Sequence, residues 1–294
     1  MPAAIALLAL SAGLVSCSAG TKSAAPGGEC PVSPVDVVVS VDQWGDIVSE
    51  LGGDCARVTT VVAGSVADPH DYEPTPADAV AFRDARLVVV NGGHYDDWAG
   101  RLAAGSAPTA PVVTAVRPDA ANPHAWYDPA AVVALADAVT AELSKLAPEA
   151  AGYFKDRRTE FGDALKPYHA AIAAIRSATP QRSYAATESV FDDMAAAVGL
   201  QDRTPPGYRA AAGNKAEPSP GDLSSFLKLL SDKGIDVLIY NTQTEGALPQ
   251  QIRAAAVAAG VPVVEVTETV APGAKTFEAW QMDQLTALAK ALGV

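Results

Sequence analysis

The chain has 294 residues, 49% of them hydrophobic, which is enough for one large or two ordinary domains with a filled core. Its 21 Lys and Arg stand against 34 Asp and Glu, for a net charge of −13. An acidic surface repels phosphate backbones and anionic headgroups, so no nucleic-acid partner is expected, and it mildly concentrates cations.

Residues 1–16 read as a secretory leader. The run "AAIALLALSAGLVSC" is apolar, too short for a permanent membrane span, and ends in small residues. It closes on "LVSC", Leu14 to Cys17, which resembles a bacterial lipobox and implies cleavage before Cys17 and a lipid anchor on it. Met1–Pro2 brings no basic residue, a departure from the usual leader. A buried core helix is the alternative, but "SAGTKSAAPGGE" comes next, so residues 17–33 read as a flexible tether. With Cys17 lipidated, Cys30 and Cys55 remain. In an oxidising exterior they form one disulfide or stay as two unpaired thiols.

From residue 34 to 128 the chain alternates strand-like and helical runs. "VDVVVSV" is a strand, and "DQWGDIVSELGG" a helix with Asp42 near its N-cap and glycines at its end. The alternation continues through "RVTTVVAG", "TPADAVAFRDA", "RLVVVNGG", "DDWAGRLAAG" and "PVVTAV". This is the pattern of a mostly parallel sheet with helices on both faces. Residues 129–178 lose the strands and read as helical throughout, with Pro148 at a favourable first-turn position and Pro167 predicting a kink or break. At ~1.5 Å per residue the second half of this stretch reaches roughly 40 Å, the width of a domain. Residues 179–294 return to alternation: "RSYAATES", "DMAAAVGL", "SPGDLSSFLKLLSDKG", "DVLIYNT", "LPQQIRAAAVAAG", "VPVVEVTET" and a closing helix. The expected architecture is α/β: two doubly wound lobes joined by a long rigid helix, with a cleft between them.

Open α/β sheets bind ligands beyond the carboxyl ends of their strands. Taking the polar residues after each predicted strand gives His70, Asn91, His94, His124, Glu188, Asn241, Gln243 and Glu268. His70, His124, Glu188 and Glu268 form a coherent set, two from each lobe and far apart in sequence. Neutral imidazole and carboxylate together suit borderline-hard divalent ions. Pro69, Pro123 and Thr267 precede three of the four and restrain them. Asp71, Glu73 and Asp128 are available to hold imidazole N–H groups, with Asn241 and Gln243 as further supports. Each residue also has a bland reading. A lone strand-end histidine is more often a hydrogen-bonded turn residue, and Glu188 also suits a helix start. His169 falls in a helical pattern as a packing or surface residue, and His94 stays outside the set.

"DPHDYEPTPAD", "NGGHYDDW", "NPHAWYDP", "ATESVFDDMAAAVGL" and "VPVVEVTETVAPG", in that order, resemble the zinc/manganese-type solute-binding lipoproteins of bacterial ABC importers. The resemblance covers the chain from about Val35 to its end. It implies metal ligands at His70, His124 and Glu188, and at Glu268 where the family usually has Asp. It also implies two α/β lobes bridged by a rigid helix. Two departures stand out: the His-rich acidic loop common in zinc importers is missing, and the third ligand is Glu rather than His. Both move the donor set toward oxygen and favour Mn²⁺ slightly, although the general affinity order still favours Zn²⁺.

The expected function is therefore that of an extracytoplasmic, monomeric, membrane-anchored receptor. It would capture one Mn²⁺ or Zn²⁺ ion and pass it to the permease of its importer, without being an enzyme. A secreted metallohydrolase with a His₂/carboxylate site is the rival reading, although no HExxH, GxSxG or phosphate-cradling loop is present. An adhesin-type lipoprotein with an incidental metal site is the third.

Overall fold

Strand β1 (Val35–Val41) is close to continuously apolar, and only one of its seven residues is more than marginally exposed. A strand buried on both faces belongs in the middle of a parallel sheet covered by helices. The computed structural model, which describes residues 29–64, 72–117, 120, 122–244 and 246–294, places it there. β1 lies between β2 (Ala56–Val62) and β3 (Leu87–Val90), with β4 (Val112–Thr114) beyond β3, in the order β2-β1-β3-β4 with every pair parallel. Helices α1 (Asp42–Gly52), α2 (Pro76–Arg83) and α3 (Asp97–Ser106) make the crossovers. α2 starts on a capping box, with Thr75 and Asp78 each satisfying the other's backbone N–H. Asp42 is the first residue of α1 rather than its cap. Its Oδ2 accepts the Gly64 N–H at 2.6 Å and so holds the chain that leaves β2.

The second sheet repeats this order as β6-β5-β7-β8, again wholly parallel, from β5 (Ser183–Ala186), β6 (Gln201–Asp202), β7 (Val237–Asn241) and β8 (Val263–Val266). Two elements are absent from the sequence-based expectation: β6, whose two residues are too few to show periodicity, and α8 (Pro206–Gly213), whose flanks open on two prolines. The other helices of this lobe are α7 (Asp192–Ala197), α9 (Pro220–Ser231), α10 (Ala247–Ala259) and α11 (Phe277–Leu292).

Between the sheets run α4 (Pro129–Leu146), α5 (Ala151–Ala164) and α6 (Lys166–Ala178). α5 and α6 form one bent rod, interrupted only at Leu165. The bend has the expected cause: Pro167 has no N–H to give to the carbonyl four residues back, and its ring crowds that carbonyl. α5 packs on α1 and α6 packs on α11. The rod therefore lies along both lobes.

One apolar cluster runs from Val37 and Val89 in the first sheet, through Phe154 and Tyr168 in the rod, to Ile239, Val264 and Trp280 in the second lobe. A smaller cluster around Phe226, Leu230, Leu238 and Ile252 covers the far face of the second sheet. Because the main core is shared, sliding one lobe on the other would break close packing.

Cys30 and Cys55 are joined by a disulfide that ties the segment before β1 to the end of α1 across 25 residues of chain. Closing a loop of that size in the unfolded chain is worth about 3 kcal/mol. Replacing both cysteines by alanine should lower the urea midpoint accordingly, and an unchanged midpoint would show that the bond contributes nothing.

Candidate metal centre

In the first lobe the site is built on the turn after β3. Asn91 is fully buried. Its Oδ1 accepts from Trp44 Nε1 at 2.9 Å, and its Nδ2 donates to the carbonyls of Gly92 (3.0 Å) and Pro123 (2.8 Å). The last bond fixes the residue before His124. The turn needs Gly92, at φ 81°, because a Cβ there would stand 2.5 Å from Thr114 Cγ2. Asp96 accepts the N–H groups of Asn91 and Gly92 at 2.6 and 2.8 Å, while burial pushes its carboxyl above the ordinary range.

His124 is 6% exposed and packs edge-on against Tyr95 and Trp126, with ring centroids 6.0 and 5.3 Å away. Its Nδ1 lies 2.6 Å from Asn122 Oδ1, which also accepts the His124 N–H. The Asn122 amide is oriented by its other end, where Nδ2 donates to the Ser189 carbonyl and to Asp193 Oδ2, both at 3.1 Å. With Oδ1 facing the ring, the imidazole proton sits on Nδ1 and Nε2 carries the lone pair. Asp128, expected near an imidazole, caps α4 instead: its Oδ1 accepts the Ala130 N–H at 2.9 Å. Asn122 takes that place because, two residues before the histidine in a proline-restrained turn, it reaches Nδ1 with a short side chain. Glu73 is exposed.

In the second lobe both acids meet one amide. Asn241, at the end of β7 and 2% exposed, donates from Nδ2 to Glu188 Oε2 at 2.7 Å and to Glu268 Oε1 at 3.1 Å. Its Oδ1 accepts the Gln243 N–H at 3.0 Å, which sets the amide's orientation. Gln243 Oε1 receives the backbone N–H groups of Glu268 (2.6 Å) and Thr269 (3.0 Å), so it shapes the turn that carries the second acid. Two carboxylates this close repel each other when both are ionised, and the shared donor offsets part of that repulsion.

The lobes meet at the same place. Tyr95 Oη lies 3.4 Å from Glu268 Oε2, and Gln43 Nε2 donates to the Glu268 carbonyl at 2.7 Å and to Tyr95 Oη at 3.2 Å. Tyr127, three residues after His124, is fully buried and contacts the Thr267 carbonyl at 2.7 Å and Gln284 Oε1 at 2.5 Å. Trp280 Nε1 donates to Thr267 Oγ1 at 2.9 Å. Burial drives the Tyr127 hydroxyl well above its ordinary pKa, so it stays a donor.

Of the four expected ligands, His124, Glu188 and Glu268 are linked through Tyr95 and Asn241. His70, together with Asp71 and Cys17, lies outside the described residues. The described residues that flank His70 are held at both ends, Gly64 by Asp42 and Tyr72 by Asp78 and Trp98. His94 is exposed and pairs with Asp97, and His169 is exposed on α6. Gln43, Tyr95, Asn122 and Tyr127 also contact the candidate site, and the sequence pattern does not single them out. The proximity of Asn122 to a strand-end histidine is a usable signal; the other three have none within their own segments.

A family profile for "Zinc-uptake complex component A periplasmic" matches residues 37–291. The chain is 29% identical over 123 residues to the manganese-binding lipoprotein MntA of Halalkalibacterium halodurans, covering 39% of this chain and 41% of that one. It is 26% identical over 170 residues to the iron-binding protein YfeA of Yersinia pestis, covering 53% and 54%. The matched regions thus span about half the length of these relatives. Among solved structures, FpvC from Pseudomonas aeruginosa in complex with Mn²⁺ superposes with a TM-score of 0.74 at 22% identity, over 89% of this chain and 99% of that one. The periplasmic zinc-binding protein TroA of Treponema pallidum gives 0.73 at 19% identity, over 88% and 99%. With the profile running from the first strand into the last helix, this chain belongs to the zinc-uptake complex component A periplasmic family.

Proposed function

We propose that the protein is the extracytoplasmic receptor of a metal ABC importer, which captures one divalent transition-metal ion, Mn²⁺ or Zn²⁺, and hands it to the membrane permease. His70, His124, Glu188 and Glu268 are the ligands in this reading. The observation that carries it is the Asn241 amide, which gathers Glu188 and Glu268 from two strand ends opposite the buried His124. Holding two acids beside an imidazole whose Nδ1 is already committed makes chemical sense if Nε2 and the carboxylate oxygens close on a cation. Names of relatives that mention manganese and iron, and a structural neighbour holding Mn²⁺, fit the same ion class. Family membership lends nothing to the hydrolase or adhesin readings.

Attachment through a lipid on Cys17 and action as a monomer complete the proposal. Among the described residues no helix is long and apolar enough to cross a membrane. The shared core and the bent rod favour a small rearrangement on ion release over wide hinge closure. The permease would then trigger release by shifting one ligand loop rather than by swinging a lobe.

Alanine at either His70 or His124 should abolish tight binding while leaving the circular dichroism spectrum unchanged. If both variants still take up one equivalent of Mn²⁺ or Zn²⁺ at wild-type affinity in a metal titration, the ligand assignment fails. Because a metal-bound imidazole must be unprotonated, affinity should fall as pH drops through ~6.5, the ordinary imidazole value. An affinity unchanged from about pH 8 to 5 would rule out histidine ligation. Asn241→Leu keeps the volume but removes the shared donor, and should weaken binding roughly tenfold or more with the fold intact. Equal affinity in that variant would mean the amide does not position the acids.

A further inference from the structure

Helix α1 turns one polar stripe toward the second lobe. Gln43 meets Glu268 at the metal centre. One turn on, Asp46 Oδ2 accepts the backbone N–H of Phe277, the first residue of α11. One turn further, Glu50 faces Glu278 of α11. One oxygen from each of Asp46, Glu50 and Glu278 lies within 4.8 Å of the others. Glu278 is only 8% exposed, and the Oε1 atoms of both Glu50 and Glu278 are buried with no hydrogen-bond donor. Buried carboxylate oxygens facing one another without a donor require a proton or a cation between them, since each is otherwise an uncompensated charge.

The other elements around Glu50 do not supply that charge. From α5, Arg157 spends its Nε on the Glu50 backbone carbonyl (2.8 Å) and its Nη1 on Glu160 (2.5 Å), and its pull on the Glu50 carboxylate is the weakest of the influences there. The buried residues of α4, which also packs on α1, are apolar: Val132, Leu135, Ala136, Val139 and Leu143. The buried residues of α6, against α11, are Tyr168, Ile172 and Ile175.

We propose that Asp46, Glu50 and Glu278 form a proton-held clasp between the two lobes, in which a carboxyl of one acid donates to a carboxylate of another, and that release of this proton to solvent loosens α11 from α1. Burial, and then the charges of Glu278 and Asp46, push the Glu50 carboxyl from its ordinary 4.5 up to about 8. Burial also raises Asp46. The folded protein therefore keeps a proton that the unfolded chain gives up. The stability tied to Glu50 is fully present below about 4.5, declines as pH rises, and is lost by the time pH passes about 8. The clasp would tune how firmly the lobes are coupled in a range that an extracytoplasmic protein meets, and α1 carries the effect to Glu268 through Gln43.

The test uses the metal-free full chain, so it is independent of the ligand assignment at the metal centre. Thermal unfolding followed by circular dichroism from about pH 5.5 to 9 should show the wild type losing stability relative to Glu50→Gln. The gap should be smallest at the acid end and widen by about 3 °C or more toward the alkaline end. Glu278→Gln should flatten the same slope and serves as the second variant if the first does not fold. Hydrogen exchange at the Phe277 amide, corrected for its intrinsic rate, should lose protection at least tenfold between pH 6.5 and 8.5 in the wild type and not in Glu50→Gln. Parallel stability curves for wild type and both variants would overturn the clasp. So would binding of one equivalent of Ca²⁺ by the His124→Ala protein at pH 8.5 with full recovery of the melting temperature, which would make the trio a cation site.

Discussion

The buried hydroxyl of Tyr127 is the contact on which the geometry of the proposed metal centre rests. It stands three residues after His124 and touches the carbonyl of Thr267, the residue before Glu268. Two loops from different lobes, those of His124 and Glu268, are thereby held at the length of one hydrogen bond. The Tyr127 ring is fixed by edge contacts with Phe191 and Trp280, and losing its hydroxyl would remove this hydrogen bond at a cost of about 1 kcal/mol. Asn91 and Asn122 work similarly on the loop before the histidine, and Gln243 on the turn before the acid. The side chains that set the site are mostly amides and hydroxyls. They can satisfy backbone groups in a dry interior without adding charge beside the carboxylates.

Strand direction is the reason His124, Glu188 and Glu268, three of the proposed ligands, come together. Both sheets are wholly parallel and share one strand order, so in each lobe the chain leaves β1 and β3, or β5 and β7, at the same edge and turns to opposite faces. Asn91, Glu188 and Asn241 occupy these switch points. There Asn241 joins Glu188 to Glu268, and Tyr95 touches both His124 and Glu268. Two acids placed there would repel, and a neutral donor shared between them is a cheaper remedy than a cation because it leaves their charge available to a metal.

The two lobes do not behave as independent bodies joined by a strap. Their apolar core is continuous, and the polar face of α1 presents Gln43, Asp46 and Glu50 to the second lobe in successive turns. One helix, α1, contributes to both this seam and the proposed metal centre, so in the proposed scheme rearrangement of the two is linked. Motion compatible with such packing is local: a loop shift at Glu268 or Glu188, not a swing about the rod.

Much of this was legible from the chain itself. The valine-rich runs determined the buried parallel strands, because a strand covered on both faces cannot alternate polar and apolar residues. Pro167 determined the bend in the rod, because in the interior of a helical run a missing N–H and the proline ring interrupt the hydrogen-bond ladder. The strand-end rule then picked out His124, Glu188 and Glu268. Local pattern could not reveal β6, where two residues pair only because a neighbour is present, or the choice of Asn122 over Asp128. Nor could it reveal the meeting of Asp46 and Glu50 with Glu278. On its own, "DIVSE" places two acids on one face of a helix that any surface helix could show. The third acid arrives from the last helix of the chain. Side chains meet across such separations only once both sheets have formed and the shared core has set the distance between them, so the partners of each polar group, and with them its charge state, belong to the tertiary structure.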